Sequence, residues 1–141
     1  MAFLKDDISI NTILGEGSFF SNEVKVQGNL RIQGDVDGNI EAKGNVFIGE
    51  KARVRGDILA DSAEIYGIVL GDIIAPKSII IASTAVVIGD IFSREVQIDS
   101  KAIFSGHCIS IKDEAEYEKA KKLYSTEKLI VSNKINNKIG G

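Results

Sequence analysis

Five glycines, Gly38, Gly56, Gly71, Gly89 and Gly106, recur at separations of 18, 15, 18 and 17 residues, and each carries the same neighbours. Two positions before them stand Val36, Val54, Val69, Val87 and Phe104; two positions after stand Ile40, Ile58, Ile73, Ile91 and Cys108. Four before are Gly34, Ala52, Gly67, Ala85 and Ala102, and four after are Ala42, Ala60, Ala75, Ser93 and Ser110. A repeat of this length is one structural unit that cannot bury its apolar face alone, so successive units must stack.

Alternation inside the repeat fixes what the unit is made of. Every even position from Val24 to Ile48 is apolar or glycine, and the odd positions between them are largely polar. A period of two sends one set of side chains inward and the other to solvent, as a strand does. The phase slips near Asp61 to Ala63 and returns near Arg94 to Val96, which reads as turns or bulges. Composition agrees, with 23 Ile and 10 Val against 7 Leu in 141 residues, together with 14 Gly and a single proline, Pro76. Such a β-branched, glycine-rich chain suits strands better than a helical bundle.

Strand periodicity within a repeat of about 17 residues describes one rung of a parallel β-solenoid, an all-β fold in which each rung hydrogen-bonds to the next. At ~3.3 Å per residue the rung perimeter is roughly 55 Å, three short sides with bends between them. Six rungs are expected, beginning near Phe19, Leu30, Val46, Glu64, Ile79 and Val96. At ~4.8 Å per rung they give a rod of roughly 30 Å. The expected organisation is an N-terminal tail over 1–17, a solenoid core over 18–111 and a charged C-terminal tail over 112–141, both tails short and flexible.

The sequence VKVQGNLRIQGDVDGNIEAKGNVFIGEKARVRGDILA at 24–60, with TAVVIGDIFSREVQIDSKAIFSGHC at 84–108, resembles the bactofilins, bacterial polymer-forming cytoskeletal proteins. Its marks are glycine-Asp/Asn-aliphatic steps at Gly28, Gly38, Gly56, Gly71 and Gly89, and the closing AIFSGHC segment. The resemblance implies a right-handed triangular β-helix that polymerises end to end without nucleotide. It also implies roles in cell shape and in positioning cell-wall-modifying enzymes, which would then be partners beside the chain itself. Two features depart from the family: the only proline lies inside the core, and Phe3, Leu4 and Lys5, which are similar to a membrane-targeting segment, are followed by Asp6 and Asp7. Phe3, Leu4 and Lys5 are therefore the candidate contacts with the inner-membrane surface.

Polymerisation needs surfaces, and a solenoid's two ends supply them: unpaired backbone groups around a disc of apolar side chains. Solenoids that stay monomeric carry polar caps. Here the last rung ends in Phe104, Cys108, Ile109 and Ile111, and the first offers Phe19 and Phe20, so these six residues are the expected assembly surfaces. Phe104 could also be a core filler, and Phe19 and Phe20 a hydrophobic cap.

Enzyme readings find little to work with. IGEKARVRGDI at 48–58 resembles the rhythm of trimeric hexapeptide acyltransferases without sustaining it, and one histidine, His107, falls short of the three that solenoid carbonic anhydrases use to hold zinc. Asp57, Asp72 and Asp90, with Asn39 in the same column, suit turns and a solvated face better than a calcium ladder. Cys108 is expected to be a buried thiol, and three threonines are too few for an ice-binding face. No cofactor or metal is expected. A net charge of -3 speaks against nucleic-acid binding, and the reading is of a non-catalytic cytoplasmic scaffold with a capped monomeric adaptor as a further alternative. Beyond the repeat, KDEAEYEKAKKLYSTEK reads as a short charged helix with Ala115, Ala120 and Leu123 as a partial face. Leu129 to Val131 could be a partner motif or pack on the rod.

Overall fold

The computed structural model describes residues 12–123. Six rungs wind through three parallel six-stranded sheets, which form the walls of the solenoid. Sheet A takes Thr12–Leu14, Leu30–Ile32, Asn45–Ile48, Ser62–Ile65, Ser78–Ile81 and Val96–Ile98. Sheet B takes Phe19–Ser21, Asp35–Asp37, Arg53–Arg55, Ile68–Leu70, Val86–Ile88 and Ile103–Ser105. Sheet C takes Val24–Val26, Ile40–Ala42, Ile58–Leu59, Ile73–Ala75, Ile91–Ser93 and Cys108–Ser110. The expected β-solenoid is thus the observed one, with three sides to each rung.

The columns read from the sequence are columns in space. Val36, Val54, Val69, Val87 and Phe104 are consecutive register partners in sheet B. Ile40, Ile58, Ile73, Ile91 and Cys108 are consecutive partners in sheet C. Between the walls the valines and isoleucines of these columns form one core with Leu30, Ile32, Ile48, Ile65, Ile79 and Ile81, all buried. Inward positions stack like on like, so each added rung covers the apolar face of the one before.

Corner lengths explain why the repeat is uneven. From sheet A to sheet B the chain takes a long corner between Ile48 and Val54 but a short one between Ile65 and Val69. The long corners fold as turns, with Ala52, Ala85 and Ala102 each donating a backbone hydrogen bond three residues back, to Gly49, Ala82 and Asp99 at 3.0 Å. The phase slips at Asp61 to Ala63 and at Arg94 to Val96 are corners between sheets C and A that are one residue shorter than their counterparts, and not bulges within a strand.

Glycine is obligatory at the corner between sheets B and C. A Cβ at Gly38, Gly56, Gly71, Gly89 or Gly106 would overlap the carbonyl oxygen of the residue one rung below, respectively Asn22, Gly38, Gly56, Gly71 and Gly89. Asn22 is the first member of this column and, among the described residues, the one non-glycine with positive φ, at 114°. It is tolerated in rung one because the clash partner is always supplied by a lower rung. The first rung accordingly starts at Thr12, seven residues before Phe19, with Thr12 paired to Leu30.

After sheet C the chain turns into a helix over 114–123. Asp113 caps it, its Oδ1 accepting from the Glu116 backbone N–H at 2.9 Å. The helix docks on the outer side of sheet C: Tyr117 is buried and meets the ring of Phe92 edge-on, 4.8 Å between centroids. The expected face of Ala115, Ala120 and Leu123 is corrected here, since Ala115 is exposed and Leu123 is 63% exposed. One aromatic anchor, and not a periodic stripe, fixes this helix. The Tyr117 hydroxyl is buried without a hydrogen-bond partner, and burial first, then Glu118, pushes its pKa up to about 12.

Two outcomes are expected. Gly89→Ala lowers stability in urea by at least ~3 kcal/mol through overlap with Gly71, whereas Gly15→Ala, with open space around it, stays within about 1 kcal/mol. Tyr117→Phe, which removes an unpaired hydroxyl, leaves the helix docked and is neutral or stabilising by about 1 kcal/mol, by hydrogen exchange of 114–123. In the unsubstituted chain a raised folded-state pKa means that docking is complete below the ordinary tyrosine value near 10 and is lost as pH climbs towards about 12. Tyr117→Phe removes that alkaline transition.

Candidate assembly faces

The last rung is where the interior meets solvent. Its inward residues repeat those beneath them: Val96 over Ile79, Ile98 over Ile81, Phe104 over Val87 and Cys108 over Ile91. The lower members of these pairs are at most 1% exposed, whereas Ile98 is 38% exposed, Phe104 is half-buried against the core and Cys108 is exposed. One rung is therefore enough to pass from sealed core to open surface. No described strand continues the three ladders past Val96–Ile98, Ile103–Ser105 and Cys108–Ser110. The helix leaves this end open, because its anchor Tyr117 sits on the side wall at Phe92.

Phe104 fills a place that is valine in four rungs and packs half-buried against the core. Ile109 pairs with Phe92 and belongs to the outer side of sheet C, and Ile111 follows it, half-buried, with its N–H donating to Ser93 at 3.0 Å. Cys108 departs from the expected buried thiol: it is inward-facing but exposed, with no strand above it among the described residues. Partial desolvation against the rung beneath pushes its pKa up from the ordinary thiol value.

At the opposite end, Leu14, Phe20, Val24 and Val26 occupy the inward positions of rung one. Val24 is buried, Leu14 and Val26 are half-buried, and Phe20 is 41% exposed. Phe19 instead pairs with Asp35 and points along the outer wall of sheet B, which removes it from the end disc. The candidate membrane contacts Phe3, Leu4 and Lys5 lie outside the described residues, as does Leu129 to Val131. No helix among the described residues is long and apolar enough to cross a membrane.

Between the faces, the polar repeat residues are engaged with backbone. Oδ1 of Asn39, Asp57, Asp72 and Asp90 accepts in turn from the backbone N–H of Asp57, Asp72, Asp90 and His107, each at 2.9 Å. His107 closes the series, its ring Nδ1 also lying 3.1 Å from Asp90 Oδ1. This ladder was missed at the level of sequence beyond a general expectation of turn chemistry. Its signal was the single column of Asn and Asp directly after the glycines.

Comparison with known proteins follows this geometry. A family profile described as "Bactofilin: Polymer-forming cytoskeletal" matches residues 12–109. Bactofilin BacO of Myxococcus xanthus (strain DK1622) is 31% identical over 97 residues, which span 69% of this chain and 77% of the relative. The structure of the cytoskeletal bactofilin BacA, determined by solid-state NMR, superposes with a TM-score of 0.62 at 28% identity, covering 70% of this chain and 93% of BacA. Thermus thermophilus bactofilin, reconstructed by cryo-EM as double helical filaments, gives a TM-score of 0.61 at 25% identity, covering 70% and 98%.

The exposed, desolvated thiol gives a direct probe of the upper face. In dispersed subunits Cys108 is expected to react completely but slowly with a maleimide near pH 7, because the raised pKa leaves little thiolate. The rate climbs about tenfold per pH unit until the thiol titrates, as read by mass spectrometry. A rate equal to that of free cysteine at neutral pH contradicts the desolvated setting.

Proposed function

This chain belongs to the bactofilin family of polymer-forming cytoskeletal proteins, and we propose that it polymerises end to end through its two open solenoid faces, without nucleotide, as a non-enzymatic scaffold. The observation that carries the reading is that, among the described residues, the apolar interior runs to the last rung without a strand above it, with Phe104 packed half-buried against the core there. Joining two faces removes a few hundred Å² of apolar surface from water, a gross gain on the order of 10 kcal/mol. Association costs ~4–15 kcal/mol, so the joint is favourable but sensitive to its largest side chain. Phe104, Cys108 and Phe20 form the discs in this reading, with Phe19, Ile109 and Ile111 at their rims.

Asn22 bears on how the discs meet. Stacking a first rung on another copy's last rung in ladder register places the Gly106 carbonyl beneath Asn22, where the column accepts only glycine. That argues against a head-to-tail continuation of the solenoid and favours like faces meeting, which gives a filament without polarity. The filament is read as two-stranded, on the pattern of the double helical filaments of the Thermus relative.

The same reading extends to the cell. A filament at the cytoplasmic face of the inner membrane, held by Phe3, Leu4 and Lys5, gains by repetition the avidity that two apolar side chains lack in one subunit. There it contributes to cell shape and positions cell-wall-modifying enzymes.

Negative-stain electron microscopy of the full chain, without nucleotide or metal, tests the assembly step. Filaments are expected for the unsubstituted chain. Phe104→Arg is expected to keep its β circular dichroism, since an arginine at an end face can reach water, and to lose filaments entirely. Filaments of normal length from that variant overturn the end-face reading, and uniform short particles from the unsubstituted chain point to a capped adaptor or a trimeric acyltransferase.

A further inference from the structure

The outer wall of sheet B changes character halfway along the rod. In rungs two and three it is charged and neutralised from within: Arg53 makes a two-pronged contact with Asp35, 3.1 Å from Nε and 2.7 Å from Nη2, and Arg55 Nη2 reaches Asp37 at 2.6 Å. In rungs four to six the same two columns become Ile68, Val86 and Ile103 beside Leu70 and Ile88. Leu70 is 41%, Ile88 50% and Ile103 60% exposed. Strand propensity does not require this, because outward positions of the same sheet accept Asp and Arg two rungs away.

The other two walls also place large apolar side chains outward, but the chain covers the aromatic ones itself. On sheet A the Arg31 guanidinium lies 4.4 Å above the Phe47 ring, and Tyr66 packs at 4.9 Å on it. On sheet C, Tyr117 seals Phe92. Sheet B receives no comparable cover from the described residues. In rungs four to six Leu70, Ile88 and Ile103 present about 300 Å² of apolar surface, the lower end of the range of the largest apolar patches on monomers, which are often functional.

We infer that Leu70, Ile88 and Ile103, flanked by Ile68 and Val86, form the lateral contact through which two filaments of this chain lie side by side. This rests on the reading of the chain as an end-to-end filament. Size selects a second copy as the occupant. Two such patches together bury about 600 Å², well short of the ~1,200–2,000 Å² of a stable pair, so free subunits do not dimerise through them. Along a filament the patch recurs once per subunit, roughly every 30 Å, and many weak contacts act together. Charge is compatible with self-pairing: the charged strand residues of sheet B are the internally matched Asp35–Arg53 and Asp37–Arg55 pairs, and Lys101, Asp72 and Asp90 stand at its corners. The strand residues of two copies therefore meet without like-charge repulsion.

The test images full-length chains as filaments. The unsubstituted chain is expected to give paired strands, and Ile88→Glu to give single strands of undiminished length, with paired segments reduced at least about tenfold. Leu70→Glu, one rung lower beside Arg55, is expected to do the same, so the outcome does not depend on one variant folding well. Phe104→Arg is expected to sediment as a monomer and not as a laterally joined dimer. Paired strands in folded Ile88→Glu and Leu70→Glu overturn the lateral assignment, as do single strands in the unsubstituted chain, which would leave the patch to a different protein. Absence of any filament from the unsubstituted chain is a separate result, and it overturns the end-to-end reading together with this one.

Discussion

The close stacking of backbone at the corner between sheets B and C is the constraint on which the rest of the structure depends. Each glycine there brings its Cα so near the carbonyl of the rung below that no Cβ fits between them. Register between rungs is therefore set by sterics before any side chain packs. A one-residue slip would put neighbours such as Asp57 or Ile88 into a site that accepts only glycine, and would turn every inward residue outward. Immediately after the glycines, the carboxylate and amide oxygens that accept the next rung's N–H secure the same register with hydrogen bonds. The apolar columns then stack as a consequence.

That dependence explains how much could be read from the sequence. Columns at two and four residues from each glycine were legible because the glycines stand at one spatial place, and the strands on either side keep constant length around it. Corners between sheets A and B vary in length, so the start of a rung could be placed only where its own glycine was visible. Rung one has Asn22 in that place, with Phe20 and Val24 around it in positions that are elsewhere mostly valine and isoleucine, and its beginning at Thr12 was accordingly read as tail. The helix face escaped for a different reason. Tyr117 docks by a single ring on Phe92, an outward residue whose strand pattern gives no hint that something covers it.

The candidate faces were legible to a similar degree. Phe104 could be placed at an inward position of the last rung from its column alone, because inward positions are shared by all rungs, whereas Phe20 shares that column without the glycine that would have shown it. Phe19 could not be separated from Phe20 without the register that sets it opposite Asp35, on the outer wall. Cys108 was assigned to the interior for the correct column and the wrong rung: the column is inward, but the last rung has no neighbour to bury it. Being inside a solenoid thus depends on height along the axis as much as on direction.

The same geometry bears on what a stacked repeat leaves open, since it sets like groups at the same place in successive rungs. Here the recurring polar groups are already committed: Asn39, Asp57, Asp72 and Asp90 to the backbone of the next rung, and Asp35 and Asp37 to Arg53 and Arg55. What repetition leaves over among the described residues is unpaired strand backbone and apolar surface at the two ends of the ladders. A like face of another copy covers such a surface with the same apolar groups, so burial of apolar surface, which closes each rung on the next, is also what meeting like faces offer.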